Sequence, residues 1–205
     1  GWFGRTALDL LDDTGTAVLA LASRPRTIVV ANTRWDIDTW SPQLVAEFDP
    51  TIIIDCAFLT REKTALMPLT DYVRINRMLT EQLLVSAASS NARIAVTISS
   101  GAAVHPVDAR TSALGENPYG YLKREAEGAL LDLSGDRLNT MVARAWSVSG
   151  AHNQRPSDYA MGDMIQQARR GRIRVKADRE VWRRYITADE LLAVTLAAGV
   201  SGSGI

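Results

Sequence analysis

Cysteine is nearly absent from this chain. Cys56 stands alone among 205 residues, so an internal disulfide is excluded and the usage fits a reducing, cytoplasmic compartment. Histidine is almost as scarce. His105 and His152 lie far apart, with no cysteine or carboxylate at metal-ligand spacing, so no metal site is expected. Neither charge is in excess: 23 basic residues balance 23 acidic ones, which removes the field that nucleic acid or an anionic membrane would need. The nearest thing to a basic patch is Arg169-Arg170-Gly171-Arg172 with Arg174 and Lys176, a run more common at a solvated helix end than at a phosphate site. No apolar run approaches the length of a membrane span, no signal peptide is visible, and no repeat appears.

What is present is a 46% hydrophobic chain with five Trp, enough to bury a core. Short apolar runs alternate with helical patterns. The strands expected are Ala17–Ala22, Thr27–Ala31, Thr51–Ile54, Ile94–Ile98 and Met141–Ala145. The helices expected are Thr6–Leu11, Pro42–Phe48, Asp71–Ala88 and Tyr119–Leu133. Strands apolar on both faces and separated by helices predict an α/β fold, a doubly wound parallel sheet covered on both sides. After Gly150 the pattern loosens into a helix over Met161–Arg170, a short strand over Ile173–Val175 and a helix over Asp189–Ala198. Residues 1–150 are therefore read as the main domain and 151–205 as a partial, smaller substrate lobe interleaved with it. Gly1-Trp2-Phe3-Gly4 enters a helix with no strand before it, and Ser201–Ile205 stops in a loop-like stretch, so truncation at both ends is expected.

One pair of residues has the spacing of a catalytic device. Tyr119 and Lys123 are four apart at a helix start and share a face. A free phenol, with a pKa of about 10, is a poor base at neutral pH. A neighbouring ammonium, helped by a cationic ring, brings it into working range. Ser99 and Ser100, directly after Ala95–Ile98, offer a hydroxyl at a strand end. Each feature alone is commonplace: packing plus a solvated charge, and a Ser-Ser-Gly turn. Their order is not, with a glycine turn first, then the serine strand end, then Tyr-x-x-x-Lys. Tyr121 has only Glu125 four residues on, Cys56 reads as a core residue lining a pocket, and Arg144 reads as closing a strand end.

That ordered set resembles the extended short-chain dehydrogenase/reductase family, the nucleotide-sugar epimerases and dehydratases. Gly1-Trp2-Phe3-Gly4 is similar to the second half of its Gly-x-x-Gly-x-x-Gly phosphate loop, and Ile53–Phe58 to an apolar strand leading to small residues over the cofactor. Asn76 matches a family asparagine, and Ser99–Val104 the serine strand end. Asn117–Lys123 with Glu127 is close to the catalytic-helix signature. Ala143–Gly150 resembles the segment beside the nicotinamide, and Arg184–Asp189 the late segment near the substrate.

The resemblance implies a Rossmann-like fold and NAD or NADP as cofactor. It implies catalysis by Ser100, Tyr119 and Lys123, and cofactor contacts from Gly1, Trp2, Phe3, Gly4, Arg24, Asp36, Ile37, Ala57, Phe58, Asn76, Tyr119, Lys123 and Val148. Substrate contacts fall to Ser100, Ser147 and Arg184. Arg24 has two readings, a partner for an NADP 2′-phosphate or an exposed loop arginine. Asp38 rivals Asp36 for the adenine position. Val104-His105-Pro106 stands where many members read Val-Tyr-Gly, so a one-residue slide would put Gly101 in the place of Ser100; Ser100 is preferred. Ser147 replaces a frequent asparagine. No acidic pair follows Ser100, which disfavours dehydration. The implied activity is hydride transfer on a nucleotide sugar or related hydroxyl or keto compound. The alternatives are an NADP-dependent reductase of small carbonyl compounds and a cofactor-binding protein without catalysis. The partners implied are a small-molecule substrate and a second copy of the chain, docked through the helices that begin near Asp71 and Tyr119.

Overall fold

The computed structural model describes residues 1–104, 113–175 and 177–202. His105, Lys176 and the terminal Ser203–Ile205 lie outside them. The element order is α1 (Trp2–Leu11), β1 (Leu21–Ala22), β2 (Arg26–Val30), β3 (Thr33–Thr39), α2 (Pro42–Phe48) and β4 (Ile52–Asp55). There follow α3 (Leu69–Ala88), β5 (Ile94–Ser100), α4 (Pro118–Leu131), β6 (Asn139–Ala145), β7 (Val148–Ser149), α5 (Ala160–Arg169), β8 (Ile186–Thr187) and α6 (Ala188–Ser201).

The core is built on β5, which lies between β4 and β6 with both neighbours parallel to it. Alternate side chains of a strand point to opposite faces, and β5 buries both. Ala95 packs with Leu83 and Ala87 of α3 and Leu130 of α4 on one face. Ile94, Val96 and Ile98 meet Leu192 and Leu196 of α6, and Phe3 and Ala7 of α1, on the other. Helices on both faces of parallel strands are the doubly wound arrangement the sequence predicts.

The first part of the sheet differs from expectation. Of Ala17–Ala22 only Leu21 and Ala22 pair, in parallel with Asp38 and Thr39 of β3. Further back along the run, the Ala20 carbonyl accepts from the Asp38 amide at 2.9 Å. A cavity of about 730 Å³, lined by Val18–Ala22, Ile37, Val45, Ile52–Phe58 and the start of α1, separates the β1-β3-β2 sheet from β4-β5-β6. Strand β3 was not foreseen. It pairs antiparallel with β2 around Ala31 and Asn32, with Ala31 at φ 50, as tight hairpin turns require. Ile173–Val175 forms no ladder. The chain there turns back on α5, the Arg174 amide donating to the Gln167 side chain at 2.6 Å, while β7 and β8 supply the short parallel pair of this region.

The start of α4 is fixed by local chemistry. Pro118 opens the helix and the Asn117 side chain accepts from the Gly120 amide at 3.0 Å. Gly120 is required there for space. A Cβ at this position would lie 2.2 Å from the Ala102 carbonyl oxygen, which is backbone and has little freedom to yield. Gly120→Ala should therefore cost about 1–3 kcal/mol, the usual range for overpacking, measured by urea denaturation. A variant as stable as the parent would contradict this contact.

Candidate active site

Three elements converge where β5 ends. Ser100 is its last residue, and its hydroxyl accepts from the Ala102 amide at 3.2 Å, capping the short 3₁₀ turn Gly101–Ala103. Tyr119 and Lys123 lie in the first turns of α4, which packs on that turn and on β5. The Ser100 hydroxyl is near enough to the Tyr119 phenol to pull its pKa downward. Ser99, one residue earlier, faces the opposite way and donates to Glu127 Oε1. The two adjacent serines thus have different partners.

Lys123 is only 5% exposed. Its ammonium donates to the Ile98 carbonyl at 2.6 Å and lies 3.8 Å from the centre of the Phe58 ring, a cation–π distance. Phe58 also meets the Tyr119 ring edge-on at 5.9 Å. Phe58 therefore contacts both residues of the pair. Glu127, one turn beyond Lys123, receives two hydrogen bonds from Arg144 Nε, at 3.0 and 3.2 Å, and one from Nη2 at 2.6 Å. This forked pair ties α4 to β6 and is the strong geometry for an arginine–carboxylate contact. Glu127 was noticed in sequence only as part of a signature; its bond to Ser99 was not.

The electrostatics differ from the expectation based on spacing. Burial pushes the Tyr119 phenol up, against the lowering effect of the Ser100 hydrogen bond. The Lys123 ammonium is directed to the Ile98 carbonyl and Phe58. Burial pushes Lys123 down to about 8, opposed first by Asp55.

The cofactor candidates divide into two sets. Gly1 and Gly4 line the cavity at the start of α1, together with Ile37, Ala57 and Phe58. Free N–H groups at a helix start and a nearby glycine suit a pyrophosphate. Asp55 and Cys56 line the same cavity. Trp2 stacks on Phe3 at 5.7 Å and meets Tyr159 edge-on at 5.3 Å. Arg24 is exposed in the bend after β1, and Asp36 is exposed on β3, accepting from Thr27 Oγ1 at 2.6 Å; neither lines the cavity. Asn76 is buried in α3 and supports the loop after β4, its Oδ1 accepting from the Leu59 amide at 2.8 Å. Tyr72, fully buried, helps by donating to the Leu59 carbonyl at 2.9 Å, a role the sequence reading missed. Val148 is buried on β7, the Ser147 carbonyl accepts from the Ile186 amide at 3.2 Å, and Arg184 is exposed ahead of β8. Among the described residues no three His, Cys, Asp or Glu side chains form a metal cluster. His152 instead pairs with Asp9 of α1 at 2.8 Å.

The shifted groups give the stability a definite pH dependence. Lys123 gives up its proton from about 8 in the folded chain, against 10.5 ordinarily, so between those values the unfolded state binds more protons and stability rises with pH. Cys56 and Tyr72 act oppositely. Burial pushes both up to about 12, from 9.0 and 10.0, so stability falls as pH climbs through their ordinary values. Urea midpoints should pass through a maximum at roughly pH 9, where the two trends cross, and Lys123→Met should remove the rising limb. A monotonic decline from neutrality upward would contradict these environments.

Comparison with known proteins identifies the fold and the family. No curated protein sequence matches the chain. Solved structures do. UDP-glucose 4-epimerase from Brucella ovis, in complex with NAD, superposes with a TM-score of 0.71 at 21% identity, covering 100% of this chain and 72% of that one. UDP-glucose 4-epimerase from Thermotoga maritima, with UDP-glucose, gives 0.72 at 17%, covering 97% and 70%. RMD from Pseudomonas aeruginosa, complexed with NADPH, gives 0.63 at 20%, covering 98% and 72%. At these identities the likeness establishes the Rossmann-like fold. The family model described as the NAD-dependent epimerase/dehydratase family matches residues 1–202, and the chain belongs to that family of short-chain dehydrogenase/reductase enzymes.

Proposed function

We propose that this enzyme transfers hydride between NAD and a nucleotide sugar, or a related hydroxyl or keto substrate, and that Ser100, Tyr119 and Lys123 carry the reaction. The observation behind this reading is the placement of Tyr119 and Lys123 one turn apart at the start of α4, beside the end of β5, with Phe58 against both. Bound NAD supplies the hydride acceptor or donor. Gly1, Gly4, Ala57 and Phe58 would hold it, at the start of α1 and along the cavity. Tyr119 takes the proton from the substrate hydroxyl as a general base, or returns it to a carbonyl oxygen as a general acid. Ser100 hydrogen-bonds the same oxygen and fixes its direction. Lys123 would hold the ribose hydroxyls of the bound cofactor, one turn along α4 from Tyr119. Return of the hydride to the other face of the keto sugar makes the reaction an epimerisation, and release of the ketone makes it an oxidation.

Arg24 supports a second reading. It is exposed, beside the rim of the cavity, and a 2′-phosphate there would make NADP the cofactor and carbonyl reduction the reaction. The outer face of α3 supports a homodimer. Leu69 and Met78 are exposed beside Val73 in a groove, next to the Arg77–Glu125 ion pair that joins α3 to α4. No helix among the described residues is long and apolar enough to cross a membrane; together with the lone cysteine this is consistent with a cytoplasmic enzyme.

Tyr119→Phe should lower turnover by about 10²–10⁴-fold, the usual worth of general acid–base catalysis, while NAD affinity stays near that of the parent. Steady-state kinetics and isothermal calorimetry read the two separately. Turnover unchanged in Tyr119→Phe would end the proposed mechanism.

A further inference from the structure

One large side chain beside the end of β5 has no place in the core and no part in the acid–base reading. Trp146 follows Ala145, the last residue of β6, and is 70% exposed. Ala145 is the register partner of Ser100, so Trp146 stands next to Gly101, the first residue of the turn that Ser100 caps. The indole is seated on that glycine. A Cβ at position 101 would lie 2.4 Å from Trp146 Cε3, 2.5 Å from Cδ2 and 2.9 Å from Cζ3. With both flanking carbons nearly as close as the nearest one, the ring meets the glycine by its face. Only glycine leaves room for the ring where it lies.

The backbone on either side of the ring is tied down. Strand β6 is paired with β5 as far as Ala145, the Ser147 carbonyl accepts from the Ile186 amide at 3.2 Å, and Val148 is buried in β7. Trp182, 87% exposed, has no such seat and lies in a stretch without secondary structure. A lone exposed aromatic of that second kind needs no explanation. One held by strands at both ends and by a glycine beneath presents a fixed apolar face. The face of Trp146 opens beside the candidate active site. Ser100 directly precedes Gly101, and α4 packs on the same turn, with Gly120, the neighbour of Tyr119, close against the Ala102 carbonyl.

We propose that Trp146 is a specificity-determining residue, the platform on which the hexose ring of the nucleotide sugar lies while its hydroxyl meets Tyr119 and Ser100. The π face of an indole is electron-rich, and the C–H groups on the face of a sugar ring are its complement. A hexose gains from this surface what a bare nucleoside diphosphate cannot. Ligand pockets are commonly built in this way, with aromatic walls around a few polar groups. The proposal rests on the nucleotide-sugar reading above and deepens it, naming the part of the substrate that Trp146 meets.

The test compares UDP-glucose with UDP, by isothermal calorimetry on the full chain in the presence of NAD. Trp146→Ala should weaken UDP-glucose binding about tenfold, the scale of one aromatic contact, and leave the UDP and NAD affinities at parental values. Trp146→Phe, which keeps a ring, should recover most of the loss. Gly101→Ala, which displaces the indole from its seat, should reproduce the selective loss with Trp146 still present. Parental UDP-glucose affinity in Trp146→Ala overturns the proposal. So does an equal loss for UDP and UDP-glucose, or a loss confined to NAD, since either puts the ring against a different group. Should Trp146→Ala not fold, the absence of a selective loss in Gly101→Ala overturns it instead. A parent that binds neither UDP-glucose nor UDP would overturn the nucleotide-sugar reading itself, and parental turnover in Tyr119→Phe the hydride-transfer one.

Discussion

The ammonium of Lys123 reaches the carbonyl of Ile98 only because the first turn of α4 lies almost in contact with the end of β5. Gly120 permits that approach and the Asn117 cap fixes where the helix begins. The Glu127–Arg144 fork, with Ser99, holds the same helix one turn further on. Hydrogen bonds to charged groups contribute about 1.5–3 kcal/mol each, and here they also set geometry. With α4 held at these points, Tyr119 can face Ser100, and Phe58 can cover the pair from β4. The placement of Tyr119 and Lys123 beside the end of β5 is a consequence of one helix–strand contact.

Burying Lys123 has an electrostatic consequence. Water is replaced by one carbonyl and one aromatic face, and burial pushes the side chain down to about 8. The phenol is displaced upward in the same surroundings. Such opposed shifts at neighbouring groups are typical of sites that move protons.

Much of the fold was legible because β5 is buried on both faces, a property written into Ile94–Ile98 as an apolar run interrupted only by Thr97. The helices α2, α3 and α4 were legible from periodicity and from Pro42 and Pro118 at their starts. Strand β3 carried a signal that went unread: Trp35 and Ile37 alternate with Arg34, Asp36 and Asp38, and the burial alternates with them. Residues 17–22 misled in the other direction, since an apolar run does not declare whether a partner edge is present. In the site, Ser100, Tyr119 and Lys123 could be chosen from their order along the chain. The Asp55–Thr97 and Ser99–Glu127 bonds could not, because each depends on strand register or helix packing between segments 42 and 28 residues apart.

The central claim is that this site moves a hydride and not a proton at the reacting carbon. The most direct measurement uses a nucleotide sugar such as UDP-glucose, deuterated at the carbon that bears the reacting hydroxyl, incubated with the enzyme and NAD. The account predicts that the deuterium is recovered in the sugar product or on the reduced cofactor, with none released to water. Loss of the label to solvent would contradict it.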